Sequence, residues 1–289
     1  MAIWNLGSIN SDMIYAVPRL PGPGETLAAT GFRQFLGGKG ANMSVAAARA
    51  AAHVLHVGAV GRDGRWAVQR LLEYGVDTRH IAEVDEPTGH AIVAVDTDGE
   101  NQIIIYPGAN RAIPEALVDA ALSQASPGDL LLMQNETNAQ VRAARQAYDK
   151  GMCVCYAAAP FQPEAVQALL PMLDMLILNA VEARQLQEAT GLAPGDLPAP
   201  DVIVTRGAEG TTWLHRGETT DFPARPVQAV DTTGAGDTFT GYVLAGLDRG
   251  LPMPQAIAQA NLAASIMVTR HGTADVIPDL RDVQDLMGA

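Results

Sequence analysis

Along this chain, short apolar runs alternate with stretches whose apolar residues recur every three or four positions. The runs fall at residues 2–6, 54–59, 130–134, 153–157, 175–178 and 202–205. They are too short for helices and are bounded by turn residues, so they predict strands. The periodic stretches fall at 42–51, 65–74, 114–124, 139–150, 163–170, 181–190, 237–249 and 254–269 and predict helices. Such alternation predicts an α/β fold with a central, mainly parallel sheet flanked by helices. Two segments break the rhythm. Residues 13–35 and 88–107 are rich in Thr, Val and Ile, carry turn signals such as Asp98-Gly99, and read as hairpins. Together they predict one small β-sheet lid that closes on a bound molecule and excludes water. The pattern predicts a single domain over 1–289 with that lid as its accessory. No internal repeat or low-complexity tract interrupts it, and the Pro/Gly-rich stretch 192–200 reads as a surface loop.

In sheets of this kind ligands bind beyond the strand ends. Asp12, Glu136, Asn179 and Gly207 all follow predicted strands, which suggests one shared rim. The most informative stretch is Ala229-Val-Asp-Thr-Thr-Gly-Ala-Gly-Asp-Thr-Phe239, where Gly234 and Gly236 allow a tight turn into a predicted helix. Amides of Gly234, Ala235 and Gly236 would converge there with the positive end of the helix dipole, a site for phosphate or a developing oxyanion. Asp237 is unexpected beside an anion cradle unless it takes a proton from an attacking hydroxyl. The alternative, a simple helix cap, is equally open on this stretch alone. A second glycine turn, Gly37-Gly38-Lys39-Gly40-Ala41-Asn42, also feeds a predicted helix.

Composition narrows the class. With 289 residues, 48% hydrophobic and 18% charged, the chain can bury a substantial core. No run approaches the roughly 18 apolar residues of a membrane span, and the start lacks a basic segment with an apolar h-region, so a cytoplasmic protein is expected. Nineteen basic residues against 32 acidic ones give a net charge of −13, which argues against nucleic acid or anionic membrane as partners. An anionic ligand must then be held by local features. Cys153 and Cys155 share a strand face; with no further ligand nearby they read as small buried thiols rather than a metal pair. The six histidines are scattered without ligand spacing, and none is a catalytic candidate.

Four motifs taken together carry a resemblance. Gly7-Ser8-Ile9-Asn10-x-Asp12, Pro21-x-Pro23-Gly24-Glu25-Thr26, Gly37-Gly38-Lys39-Gly40-Ala41-Asn42 and Asp231-Thr232-Thr233-Gly234-Ala235-Gly236-Asp237-Thr238-Phe239 resemble the signatures of the ribokinase-like (phosphofructokinase B type) carbohydrate kinases. They occur in the family's order and span nearly the whole chain, with the first and third most similar to the ribokinase branch. The resemblance implies ATP-dependent transfer of the γ-phosphoryl group to a primary hydroxyl, with D-ribose O5 as the leading acceptor and Mg²⁺ accompanying ATP. It implies Asp237 as general base, with Gly234, Ala235 and Gly236 holding the phosphoryl group. Asp12, Gly37, Gly38, Lys39, Asn42 and Glu136 would contact the sugar, a carboxylate being suited to vicinal hydroxyls. Asn179, Glu182, Thr205, Arg206, Gly207, Gly210 and Asn261 fall at nucleotide-side positions. Asn179 and Glu182 could equally be a helix cap and a solvated glutamate. Asp231 and Thr233, with carbonyls of Met267, Arg270 and Gly272, match a monovalent-cation loop, which implies K⁺ as an activator. A homodimer joined through the lids is also implied.

Two positions depart from the pattern. Ala157 stands where the family usually has Asn before a Pro-containing turn, and Val276 stands where the cation loop usually has Ser. Acceptor choice is expected to lie in lid residues such as His90, Ile92 and Ile104. Fructose, a nucleoside or a deoxy-sugar acid are rival acceptors, and a regulator that binds sugar or nucleotide without turnover is a rival of another class. A dinucleotide-dependent dehydrogenase is disfavoured, since the turn after the first strand has one glycine where three are needed.

Overall fold

The computed structural model describes residues 1–287. In chain order, β1 (Ile3–Leu6), β2 (Asn10–Ala16), β3 (Gly31–Gly37), α1 (Lys39–Arg49), β4 (Val54–Val60), α2 (Arg65–Glu73), β5 (Asp77–Glu83), β6 (Gly89–Val95) and β7 (Asn101–Tyr106) come first. Then α3 (Glu115–Ser123), β8 (Leu130–Gln134), α4 (Gln140–Asp149), β9 (Cys153–Ala157), α5 (Pro163–Leu169), β10 (Met175–Asn179), α6 (Ala180–Thr190) and β11 (Asp201–Thr205) alternate. The strands β12 (Thr211–His215) and β13 (Glu218–Phe222) precede α7 (Ala235–Asp248), α8 (Met253–Met267) and α9 (Leu280–Met287).

Nine strands form one sheet in the order β13-β12-β11-β10-β9-β8-β1-β4-β5. Strand β1 lies parallel between β4 and β8, the parallel run continues from β8 to β11, and β12 and β13 close one edge antiparallel. The strands β5, β12 and β13 were not anticipated. Their partly exposed sequences mix Thr, His and acids with few apolar residues, so no continuous run marks them.

Successive residues of the inner strands enter opposite cores. Ile3, Leu130, Leu132 and Cys155 pack with Met43, Tyr242 and Ile257 on one face of the sheet. Trp4, Leu6, Leu131, Met133, Val154 and Tyr156 pack with Val118, Ala143 and Val166 on the other. Burial on both faces is why these strands read as unbroken apolar runs rather than alternating ones. Cys153 and Cys155 point to the same face with their sulfurs 3.7 Å apart, and Cys155 is held in its thiol form first by its hydrogen bond with Cys153 and then by burial.

The two segments outside the alternation form a four-stranded sheet, β3-β2-β6-β7, with antiparallel pairs β2–β3 and β6–β7 and a parallel β2–β6 pair at its centre. Strand β2 begins at Asn10, so Asp12 lies inside this sheet and not, as expected, in a turn after β1. Register sets its face: Asp12 pairs with Phe35 and Ala91, and Ala91 with Ile105, so all four point the same way. His90, Ile92 and Ile104 are one position out of step and point to the opposite face. The side chains on Asp12's face are instead Ile14, Arg33, Phe35, Ala91, Val93, Ile103 and Ile105.

Candidate active site

The site is assembled where the loop after β1 meets the start of α1. A Cβ on Gly7 would lie 2.6 Å from Gly40 Cα, so the two backbones touch. A buried polar network holds them there. Asn5 Nδ2 donates to Gly40 O and to Ser44 Oγ, both at 2.8 Å, and Asn5 Oδ1 accepts from Gln134 Nε2 at 2.8 Å. Having accepted from Asn5, Ser44 donates to His56 Nδ1 at 2.9 Å, which leaves His56 Nε2 to donate to Gly7 O at 3.0 Å. Burial pushes the His56 imidazole down to about 4, so it stays neutral. None of Asn5, His56 or Gln134 was identified from sequence. The available signal was a polar residue inside each of three otherwise apolar strands.

Upon this floor the candidate sugar residues converge. Ser8 Oγ donates to Glu136 Oε2 and accepts from Gly40 N at 3.1 Å, while Lys39 N donates to the same Glu136 oxygen at 3.1 Å. Glu136, just past β8, is thereby tied to the loop after β1 and to the glycine turn that opens α1. Asn42, in the first turn of α1, donates from Nδ2 to Asp237 Oδ2 at 2.9 Å, and both residues are buried. The Asp237 carboxylate holds the Lys39 ammonium above its ordinary value, aided by Glu136 and Glu182 against the opposing effect of burial. Burial raises Asp237, opposed by Lys39 and the Asn42 hydrogen bond and reinforced by Glu136. Asp12 is pushed up to about 6, first by burial and then by Glu136 and Asp237. Asp12, Lys39, Asn42, Glu136, Glu182 and Asp237 therefore share one electrostatic site, drawn from both sheets and three helices. Gly37 and Gly38 lie beside it at the junction of β3 and α1.

Asp237 occupies the first turn of α7 behind Gly234, whose φ of 75° is in the left-handed region. The amides of this turn differ from expectation in one respect. Ala235 N already donates to Thr232 O at 3.3 Å, so it is not free for a ligand. Gly236 N has no acceptor among the described residues, and nothing lies within 4 Å of the place a Gly236 side chain would take. That open ground in front of the helix N-terminus is where an anion fits.

On the neighbouring rim, Asn179 and Glu182 form a capping box at the start of α6. Asn179 Oδ1 accepts from Val181 N and Glu182 N, both at 2.9 Å, and Glu182 Oε2 accepts from Asn179 N at 2.7 Å. The cap reading of Asn179 is thus realised, but Glu182 is not a solvated glutamate. Burial raises its carboxyl against the Asn179 amide and Lys39, and Asp237 adds to the rise. Its other oxygen accepts no hydrogen bond among the described residues and has the chemistry to hold a hard cation that keeps most of its waters.

The remaining nucleotide-side candidates are engaged in the fold. Arg206 pairs with Asp221 at 2.9 Å, Thr205 Oγ1 donates to Leu178 O at 3.4 Å, and Arg206 N donates to Gly210 O at 2.7 Å across the Gly207 turn. Asn261 Oδ1 accepts from Thr211 Oγ1 at 2.7 Å, tying α8 to β12. In the cation-loop candidate, burial favours a protonated Asp231, but the Thr233 and Gly272 amides, at 2.9 and 3.4 Å, outweigh it and hold the carboxyl below its usual range. Met267 O accepts from Arg270 N at 2.9 Å, and Arg270 Nη1 donates to Val276 O at 3.1 Å. The set is a carboxylate among backbone carbonyls, with no side-chain oxygen from Val276.

The sequence profile of the pfkB family carbohydrate kinases matches residues 3–280. The ribokinase of Haemophilus influenzae is 35% identical, the alignment covering 98% of this chain and 97% of that protein. Among solved structures, Thermotoga maritima ribokinase superposes with a TM-score of 0.89 at 30% identity over the full length of both chains. Arabidopsis thaliana ribokinase, complexed with ribose and ATP, does so with a TM-score of 0.86 at 29% identity, again over the full length of both.

Proposed function

Because the chain belongs to the pfkB family of carbohydrate kinases, enzymes that phosphorylate sugars, we propose that it transfers the γ-phosphoryl group of ATP to O5 of D-ribose, giving ribose 5-phosphate. The observation that carries this is the buried Asp237 carboxylate, set at a glycine-capped helix N-terminus and ringed by Asp12, Lys39, Asn42 and Glu136.

In this reading Asp12, Asn42 and Glu136 bind the sugar hydroxyls, with Gly37, Gly38 and Lys39 closing against the ring. Asp237 accepts the proton of the 5-hydroxyl as its oxygen bonds to the γ-phosphorus; the bond from that phosphorus to the β–γ bridging oxygen breaks, and ADP leaves. The free Gly236 amide and the α7 dipole stabilise charge on the transferring group, and Lys39 adds a fixed cation. Magnesium bound with ATP offsets phosphate charge, and Glu182 is the residue that would hold it. Thr205, Arg206, Gly207, Gly210 and Asn261 shape the nucleotide rim; Arg206 reaches a phosphate only by leaving Asp221. The loop of Asp231, Thr233, Met267, Arg270 and Gly272 has the oxygen chemistry for K⁺, with one side-chain donor fewer because of Val276. The four-stranded sheet acts as the lid and as the surface joining two subunits. Free thiols and use of ATP suit the cytoplasm.

The test is ADP release from Mg·ATP against ribose, deoxyribose, fructose, deoxy-sugar acids and nucleosides, each with and without K⁺. Ribose-dependent turnover is expected, lost by about 10²- to 10⁴-fold in Asp237→Asn with ATP affinity retained. Turnover with a nucleoside but not ribose would replace the acceptor. Ligand binding without turnover would replace the kinase reading with a regulator.

A further inference from the structure

The contact between Asn42 and Asp237 is set by how closely their helices approach. A Cβ on Gly241, one turn beyond Asp237, would lie 2.5 Å from Ala46 Cβ and 2.6 Å from Met43 O, so only glycine fits between α7 and α1. The first turns of the two helices are held together by that packing, and the Asn42–Asp237 hydrogen bond of 2.9 Å spans the gap between them. An ionised carboxylate only accepts hydrogen bonds, so the amide nitrogen must face it. Asn42 Oδ1 is then turned away, buried and without a partner.

The geometry points to Asn42 as a positioning residue for the base: its amide pins one oxygen of Asp237 and leaves the other facing the acceptor hydroxyl. In the proposed function Asn42 is also a sugar-contact residue, so the same side chain that orients the base would also meet the substrate. Sugar occupancy and base orientation are coupled through one amide. This inference rests on the reading of Asp237 as the base. The charged groups facing Asp237 are Lys39 from α1, Glu136 from the loop after β8, Asp12 from β2 and Glu182 from α6. With the Asn42 donor gone, Lys39 would be the only side chain opposing burial and the three acids, and the protonated base would persist to higher pH.

The experiment is kcat at saturating sugar and ATP across pH for the wild type, Asn42→Ala, Asn42→Ser and Asn42→Asp, with Asp237→Asn alongside. Loss of a hydrogen bond to a charged group predicts a fall in kcat of about 10- to 100-fold in Asn42→Ala. The acid limb of its profile moves to higher pH, and further in Asn42→Asp, where a second carboxylate meets the first; KM for ATP stays near wild type. Thermal melting identifies any variant that fails to fold, and Asn42→Ser, the smallest polar change, then decides. Acid limbs that coincide with wild type while only KM for sugar rises would make Asn42 a sugar ligand and nothing more. Full turnover in Asp237→Asn would instead overturn the base assignment itself, so the two failures are separable.

Discussion

Asp12 is a site carboxylate whose ionisation is lifted toward the working range. Burial and two acidic neighbours lift it to about 6, so between its unfolded value near 4 and about 6 the folded protein holds a proton that the unfolded chain releases. Its contribution therefore favours folding as pH falls through 6 and opposes it above. In the proposed function sugar hydroxyls donate to this carboxylate, so binding would require the charged form. Ribose affinity measured by calorimetry is expected to be flat above about pH 6 and to weaken roughly tenfold per unit below it. In Asp12→Asn affinity should be weak throughout, with no inflection. Affinity in the wild type that stays flat to pH 5 would remove Asp12 from the sugar site. Glycines and Asp237 could be picked out of the sequence because unusual residue types cluster there. Asn5, His56 and Gln134 could not, since a lone polar residue in an apolar strand does not reveal its partner.

At the scale of elements, α6 ties the rim to the sheet through its cap. Asn179→Ala removes an acceptor shared by two amides and should destabilise by about 1 kcal/mol, a fall in Tm of about 2 °C. Glu182, no longer locked by the reciprocal bond, should bind Mg·ATP with a severalfold higher KM. Asn179→Asp keeps the acceptor and should leave both quantities near wild type. An Asn179→Ala protein with unchanged Tm would show that the cap carries no stability. Helices and inner strands were readable from periodicity because both faces of the sheet are buried. Strands β5, β12 and β13, at and next to the sheet's edges, were not, because half-exposed strands of mixed polarity lack a distinctive period.

For the whole molecule, the four-stranded sheet presents an unusual surface. Its face opposite Asp12 carries Tyr15, Phe32, Ile92, Ile104 and Tyr106, with Ile104 63% and Phe32 55% exposed. A monomer rarely leaves so much contiguous apolar area in water. Two copies packed through these faces would cover it, and light scattering on the wild type is expected to give a dimer. Ile104→Lys would bury a charge in that contact and should yield a monomer. A wild-type monomer at micromolar concentration would sink the lid-to-lid assembly.

The sequence by itself determined the α/β class, the two glycine turns, the family and the identity of the carboxylate at the helix start, because each is written in residue type and local spacing. It also separated the second sheet from the first. Only the tertiary structure decided which residues meet. Register, a single-residue matter that no local pattern reports, turned His90, Ile92 and Ile104 away from Asp12 and brought Ile103 and Ile105 round to it. Packing across 195 residues of chain joined Asn42 to Asp237. The reason is the same in both cases: local propensity fixes how a segment folds, whereas long-range packing fixes what its side chains face.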